Sequence, residues 1–531
     1  MASRPKSVLW VDDEIESLES HRRFLTDHGY EVEAAPHGDD ALELLRRRPY
    51  GVVLVDEQMP GRRGLELFGA IRQLDPAVPV VMVTKSEDPA TLREAIGLAV
   101  DDYLVKPLQP RQILSVITRL VEGDRIRQQH LAREFVTRFR SLEERRAAAL
   151  GWREWIDLVR ELAQWDIRLA EADEPGLHEA LRAMIAGLRR DFAEFIARHY
   201  AGWVANPDAD RPALSPDIVP EVVLPVLREH GKVLFVVVDC LRLDQWEALL
   251  PLITPFLDVE TSHYYGILPT ATPYARNALF AGLMPREIAA AHPSWWTENE
   301  EESLNAHEPE LLRMQLQRLL GRTVPVRYEK IFGGAMGDEF LRRLPAHLAQ
   351  DGLTALVFNF VDQLTHGRSE NEILYEVAKD EAALRALTAA WFERSTLRAA
   401  LQEAERRRVP VVLTTDHGSI HCATPATVFA KRDATSNLRF KFGEDLRAED
   451  RDSAVMVDDV ERYGLPRRAL GVRALFAVGD RFFVYPTKLR EYQSRYRGAF
   501  LHGGISAEEM ILPVALLTSR GGGSGGLVGG R

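Results

Sequence analysis

The run SVLWVDD, Ser7 to Asp13, is an apolar, β-branched stretch that stops abruptly on two carboxylates. It reads as a buried strand whose last residues reach solvent at one end of a sheet. Similar runs follow at Glu31 to Ala35, Gly51 to Val55, Val78 to Val83 and Asp102 to Val105. Helical periodicity lies between them, from Glu16 to Asp27 ending at Gly29, and from Asp39 to Arg48 ending before Pro49. Five strand and helix repeats with short connections predict a doubly wound, flavodoxin-like parallel sheet. Its chemistry belongs at the carboxyl ends of the strands.

Outward from this first domain the character changes. From about Gln109 to Arg198 the pattern is long and helical, rich in Leu, Ala, Arg and Glu, with a break around Glu174 to Gly176. Its apolar stripe carries Trp152, Trp155 and Trp165, which reads as core packing in a helical bundle. A Pro- and Asp-containing stretch from Asn206 to Pro220 reads as a linker. Beyond it, Lys232 to Val238, Thr354 to Phe360 and Val409 to Thr414 are three more fully apolar strand patterns separated by helical ones, a second α/β domain. The expected division is 1–122, 123–220, 221–520 and a flexible Gly-rich tail at 521–531.

Composition bounds the function. A chain of 531 residues is too long for one core, and roughly two to four domains are expected. With 67 basic and 79 acidic side chains the formal net charge is -12, so there is no global attraction to nucleic acid or anionic lipid. Two cysteines, Cys240 and Cys422, exclude a disulfide scaffold and a thiolate zinc cluster, leaving His and carboxylate as metal ligands. No apolar run is long enough to span a bilayer and no signal-type segment follows Met1 to Lys6, so no membrane insertion and a cytoplasmic location are expected.

In the first domain Asp12 and Asp13 follow strand one, Asp56 ends strand three, Thr84 ends strand four and Lys106 follows strand five. Three converging carboxylates repel one another unless they hold a cation, and Mg²⁺ with oxygen ligands meets that need. These residues, with VDEQMPG from Val55 to Gly61, resemble the receiver domains of response regulators over residues 5 to 122. The resemblance implies that Asp56 accepts a phosphoryl group from a sensor histidine kinase and that Asp12 and Asp13 help bind Mg²⁺. It further implies that Lys106 contacts the phosphate and that Thr84 and Tyr103 form the switch pair. Lys85 departs from the family pattern, in which a small residue usually follows the threonine.

In the second α/β domain VVVDCLRLDQW places Asp239 after a buried strand, and NFVDQLTHG places Asp362 and His366 four apart. LTTDHGS supplies the adjacent Asp416 and His417, and LHGG puts His502 in a Gly-flanked loop. Three carboxylates and three imidazoles at strand ends and loops are the inventory for two zinc ions with open positions. Two such ions about 4 Å apart clamp the oxygens of an in-line phosphoryl displacement. The segment ILPTATPYARNALFAGLMP, Ile267 to Pro285, offers a threonine hydroxyl at a helix N-terminus, where backbone N–H groups and the macrodipole favour phosphate oxygens. Thr270 and Thr272 share that turn, and Asp244 stands ready to cap the helix after Asp239. His421, Lys431, Arg439 and Lys441 could form a basic rim, and Arg276 or Asn277 could contact a substrate oxygen.

Taken in order along the chain, these residues resemble the alkaline phosphatase superfamily and, within it, the PglZ-type domain. Joined to a receiver domain, the whole is similar to the PorX-type response regulators. The resemblance implies that Asp362, His366 and His502 hold one zinc, that Asp239, Asp416 and His417 hold the other, and that Thr272 is the nucleophile. It implies a phosphorylation-controlled hydrolase, a phosphodiesterase rather than a monoesterase, acting on nucleotide or oligonucleotide phosphoesters. The architecture, with a helical segment placed to transmit the state of Asp56, gives the expectation of a phosphorylation-dependent homodimer, and the resemblance leaves open partnership with secretion or transcription machinery. The competing expectation is a catalytically silent metal-binding regulator that docks a protein partner. A DNA-binding output is disfavoured, because no basic helix-turn-helix pattern follows the receiver.

Overall fold

The fold is taken from a computed structural model, which describes residues 4–85, 100–148, 150–172, 174–296, 305–368, 372–431, 434–467, 469, 471–486 and 489–520. The Gly-rich tail 521–531 lies outside the described residues. The chain separates into two compact units, residues 1–138 with 172–174, and residues 139–171 with 175–531.

In the first unit β1 (Ser7–Val11), β2 (Glu31–Ala35), β3 (Val52–Asp56), β4 (Val80–Thr84) and β5 (Asp102–Val105) form one sheet in the order β2-β1-β3-β4-β5. Every pairing is parallel. β1, β3 and β4 are buried along their whole length, because helices cover both faces of a parallel sheet and no polar alternation is tolerated. The helical stretch expected from Glu16 begins instead as a 3₁₀ turn, Ile15–Leu18, before α1 (Glu19–Asp27); α2 is Gly38–Arg47 and α3 is Gly64–Leu74. Gly64 is required where α3 starts, since a Cβ there would lie 2.5 Å from the Asp56 carbonyl oxygen.

The helical segment is three helices, α4 (Pro110–Ala147), α5 (Trp152–Ala172) and α6 (Pro175–Ala205). The expected break at Glu174 to Gly176 is present, with Pro175 at the start of α6, and a second break precedes Trp152. Trp155 and Trp165 are buried, and Trp155 meets Phe192 of α6 edge to face at 5.2 Å.

The large sheet of the second unit contains β6 (Lys232–Val238), β7 (Leu257–Tyr265), β8 (Val326–Ile331), β9 (Gly352–Phe358), β10 (Val411–Thr414) and β11 (Ile511–Ser519), ordered β7-β11-β10-β6-β9-β8. β10, β6, β9 and β8 run parallel, and β11 is antiparallel to both β10 and β7. β7 alternates exposed and half-buried residues between its buried ends, as an edge strand should, and carries no continuous apolar run. The helices that matter for the site are α7 (Leu243–Ile253), α8 (Thr272–Ala281), α9 (Glu308–Leu320), α10 (Phe360–Arg368) and α11 (Glu381–Glu393). No helix among the described residues is long and apolar enough to cross a membrane.

Phe235 sits at the centre of this core, fully buried and edge to face with Phe280 of α8 at 6.0 Å. Phe235→Ala removes that ring from a close-packed site, and a loss of about 3–5 kcal/mol is expected in urea unfolding followed by circular dichroism.

Candidate functional site

At the carboxyl end of the first sheet the Asp12 and Asp56 side chains are buried, and Asp13 is exposed beside them. Oxygens of all three lie within 4.8 Å of one another, a group that can hold a metal ion. Lys106 Nζ reaches both buried carboxylates, 2.9 Å from Asp12 Oδ2 and 2.7 Å from Asp56 Oδ2. Burial alone would lower the lysine pKa, but the hydrogen bonds and charges of Asp12 and Asp56 outweigh it and hold the pKa above its ordinary value. Thr84 is buried at the end of β4, and Tyr103 on β5 is 40% exposed.

In the second unit the parallel pairing of β6 with β9 and β10 brings three strand ends together. Asp239 follows β6 and its N–H donates to Phe358 O at 2.9 Å. Asp362 lies in the first turn of α10 after β9, and Asp416 and His417 follow β10. The loop carrying His502 precedes β11 in the chain. The candidate ligands fall into two groups whose donor atoms lie within 4.8 Å of one another, Asp239 with Asp416 and His417, and Asp362 with His366 and His502. The groups adjoin, with the His417 and His502 rings stacked at 4.3 Å.

The polar atoms of this centre are not satisfied by the protein. Asp239 Oδ1, Asp416 Oδ2 and Asp362 Oδ1 are buried without a hydrogen-bond partner among the described residues. Buried carboxylate oxygens carry a large desolvation cost, and an unpartnered set of them is the donor pattern of a cation site. The imidazoles agree. His417 Nδ1 lies 3.0 Å from Gly418 O and His502 Nδ1 lies 3.3 Å from Thr270 O, contacts that require Nδ1–H and leave Nε2 as the lone-pair nitrogen. Nε2 of His366 and of His502 face each other at 3.2 Å.

Charges follow from these contacts. Burial, with Asp416 and Asp362 nearby, pushes the Asp239 carboxyl up to about 7 even though Arg276 opposes the shift. Burial would also raise Asp362, but the neighbouring His366 and His502 imidazoles bring it below the usual carboxylate range. Burial and the neighbouring His417 and His366 drive His502 well below the ordinary imidazole value, so it is a neutral donor.

Thr272 opens α8, and its Oγ1 is 2.9 Å from His417 Nε2. Thr270 is fully buried and occupied differently. Its hydroxyl donates to Gly504 O at 2.9 Å and accepts from Gly503 N–H at 3.0 Å, which ties it to the His502 loop. Asp244 is not near a ligand set; Arg242 and Arg385 clamp it at 2.8 and 2.9 Å. Burial would raise its carboxyl, and the two guanidiniums overcome this to hold it at about 2. Arg276 bridges Asp239 Oδ2 at 2.5 Å and Glu308 Oε1 at 2.7 Å, and Asn277 donates to Pro273 O. Of the basic rim, Arg439 and Lys441 are buried, and Lys431 is paired with Glu444 and Asp445.

Several residues of the site carry no local sequence signal. Asn359 donates to Asp239 Oδ2 at 3.0 Å, and Asn305 donates to Glu308 Oε1 at 2.9 Å. Glu509 is fully buried and salt-bridged to Arg439 at 2.5 Å. Its carboxylate also accepts from Gly504 N–H at 2.9 Å and Ser506 Oγ at 2.8 Å, while its carbonyl accepts from Gly418 N–H at 3.1 Å. One residue therefore holds the chain beside both His417 and His502. Glu509→Ala leaves the Arg439 guanidinium buried and unpaired, and a loss of about 3–5 kcal/mol is expected in urea unfolding.

Comparison with known proteins places three matches along the chain. Residues 218–517 match the BREX system PglZ alkaline phosphatase-like domain, residues 8–118 the response regulator receiver domain, and residues 125–204 the PorX response regulator linker domain. Among curated relatives, the phosphoglycerate transport system transcriptional regulatory protein PgtA of Salmonella typhimurium is 29% identical over 32% of this chain and 38% of its own length. The transcriptional regulatory protein CrdR of Helicobacter pylori is 34% identical over 23% of this chain and 57% of its own length. The chain thus spans less than two thirds of either relative. Among solved structures, chemotaxis protein CheY4 of Vibrio cholerae is 32% identical, covering 22% of this chain and 97% of that one with a TM-score of 0.21.

Proposed function

This chain belongs to the PglZ alkaline phosphatase-like family, built as a PorX-type response regulator, and from that premise we propose that it is a zinc-dependent phosphodiesterase controlled by phosphorylation of Asp56. The observation that carries the reading is the set of three buried, unpartnered carboxylate oxygens beside three imidazoles, with a helix-terminal hydroxyl 2.9 Å from one of them.

The ligand set suits zinc, being His and carboxylate without thiolate. Asp239, Asp416 and His417 would hold one ion and Asp362, His366 and His502 the other, and such ions supply Lewis-acid polarisation of the phosphoryl oxygens. Arg276 keeps Asp239 in place from the side away from His417, and Gly418 O and Thr270 O fix the two ring tautomers. Thr272 Oγ attacks phosphorus from the N-terminus of α8, where free backbone N–H groups favour a phosphate oxygen. The Oγ–P bond forms as the bond to the leaving alkoxide breaks. The hydroxyl proton passes to solvent and the departing alkoxide takes one up as an alcohol, and water later cleaves the phosphothreonine to release the phosphomonoester and restore the hydroxyl. Arg276 and Arg439 are both committed to buried carboxylates, so neither is available to bind a second phosphate charge. A monoanionic diester therefore suits the site better than a dianionic monoester, and nucleotides or oligonucleotides provide such esters.

Thr272→Ala should lower turnover of bis-p-nitrophenyl phosphate by about 10³-fold or more with close to two zinc ions retained per chain. Thr270→Ser, which preserves the hydroxyl that ties the His502 loop, should remain active. Elemental analysis and the colorimetric assay check both, and an active Thr272→Ala would remove the nucleophile from this reading.

The same proposal gives the first unit its role. Asp56 accepts the phosphoryl group of a phosphohistidine on a sensor kinase, Lys106 balances its charge, and Asp12, Asp13 and Asp56 would hold Mg²⁺. Thr84 and Tyr103 respond as the switch pair. Beryllofluoride with Mg²⁺ should change the association state of the protein in light scattering, and Asp56→Ala should abolish the change. An unchanged mass in the native protein would separate the receiver from the control of the hydrolase.

A further inference from the structure

Within the second unit, α5 and α6 enclose a cavity of about 420 Å³ against α7, the start of α11 and the loop before β11. Its walls are mainly apolar, with Trp155, Leu162, Ile185, Phe192 and Leu243 contributing. None of the six ligand residues or Thr272 lines it. Its volume and its mixed lining are those of a small-molecule site rather than a packing defect.

The charged groups of the lining decide what it would take. Asp244 is paired with Arg242 at 2.8 Å, Asp166 with Arg385 at 2.6 Å, and Glu508 with Arg189 at 3.1 Å, so these neutralise one another. Asp380, Glu381 and Asp480 also line the cavity with no ion pair at salt-bridge distance among the described residues; Arg189 feels the charges of Glu381 and Asp480 and Arg242 that of Glu381, and Asp380 and Asp480 accept from Ala383 N–H and the Thr424 hydroxyl. Against these three carboxylates stands Arg182, which is exposed. Two buried atoms of the lining, Glu508 Oε2 and His178 Nε2, have no hydrogen-bond partner among the described residues. Glu508 Oε2 is an acceptor, and His178 Nε2 is one in the Nδ1–H tautomer.

We propose that this cavity is a binding site for an amphipathic organic cation, an apolar or aromatic body bearing an amine. The body fills the slot between Trp155, Leu162 and Phe192. The ammonium donates to Glu508 Oε2 or His178 Nε2 and is balanced by Glu381 and Asp480. An anion of the same shape meets excess negative charge and unsatisfied acceptors. The site also adjoins the catalytic loops, since a Cβ on Gly418 would lie 2.0 Å from the Glu508 carbonyl oxygen.

Isothermal titration calorimetry of the full-length protein with tryptamine and with indole-3-acetate tests the proposal, because the ring is shared and the charge reversed. Tryptamine should bind saturably at or below millimolar concentration, and indole-3-acetate at least about tenfold more weakly. Glu381→Gln with Asp480→Asn, which removes charge from two half-buried lining residues, should bring the two affinities together. Leu162→Trp, which fills the slot, should remove tryptamine binding while the circular dichroism spectrum stays native. The proposal is overturned by equal affinity for the two ligands, by absence of saturable tryptamine heat, or by tryptamine binding that survives Leu162→Trp in folded protein. The readout is binding alone, so it stands or falls separately from hydrolysis.

Discussion

The second unit's site depends on one buried ion pair, Glu509 with Arg439, both fully out of solvent. A buried pair is poor at adding net stability, since desolvation consumes most of the Coulombic gain. Its value lies in position. Glu509 has enough acceptor capacity to serve Arg439, Gly504 and Ser506 with its carboxylate and Gly418 with its carbonyl. The His417 turn and the His502 loop are far apart in sequence, yet both take their place from this residue. Gly418 and Gly504 are glycines for the same reason. A Cβ at Gly418 would meet Glu508 O, and one at Gly504 would lie 2.5 Å from the Arg439 guanidinium.

The two units solve the same electrostatic problem in related ways. Each gathers carboxylates at the carboxyl ends of parallel strands, where side chains leave the sheet but are still shielded from water. In the first unit Lys106 neutralises from one side and leaves Asp13 exposed for a cation. In the second, Arg276 neutralises Asp239 from one side and is itself held by Glu308, which also contacts Lys330 and Tyr328. Fixed positive charge alone is not enough there, because three carboxylate oxygens stay unpartnered.

The helical segment is more than a spacer within the second unit. Tyr200 of α6 accepts a hydrogen bond from Leu268 N–H at 2.9 Å, and Tyr265 donates to Trp152 O at 3.0 Å. Phe192 stacks on Tyr265. These contacts reach the turn that leads to Thr272, so a change in the packing of α5 and α6 bears directly on the start of α8. The same helices wall the cavity that ends on Glu508, which gives the segment two physical contacts with the His417 and His502 loops.

The sequence alone determined the two α/β sheets and the strand-end carboxylates. A fully apolar run that ends on Asp is a local pattern, and parallel pairing then forces such ends to converge, as Asp12 with Asp56 and Asp239 with Asp416 do. It also carried the helix N-terminus at Thr272, because Pro follows at once and Gly282 closes the helix. Only the tertiary structure decided which threonine hydroxyl faces the imidazoles. Thr270 is taken up by Gly504, 234 residues away, and no local pattern encodes a partner at that distance. Arg439 reads in sequence as a surface cation and is in fact the buried partner of Glu509, since burial follows from packing and not from residue type. The strands β7 and β11 were likewise invisible as a pair. Strand pairing is a contact between distant segments, and its register, Ile511 opposite Tyr265, exists only once the chain has folded.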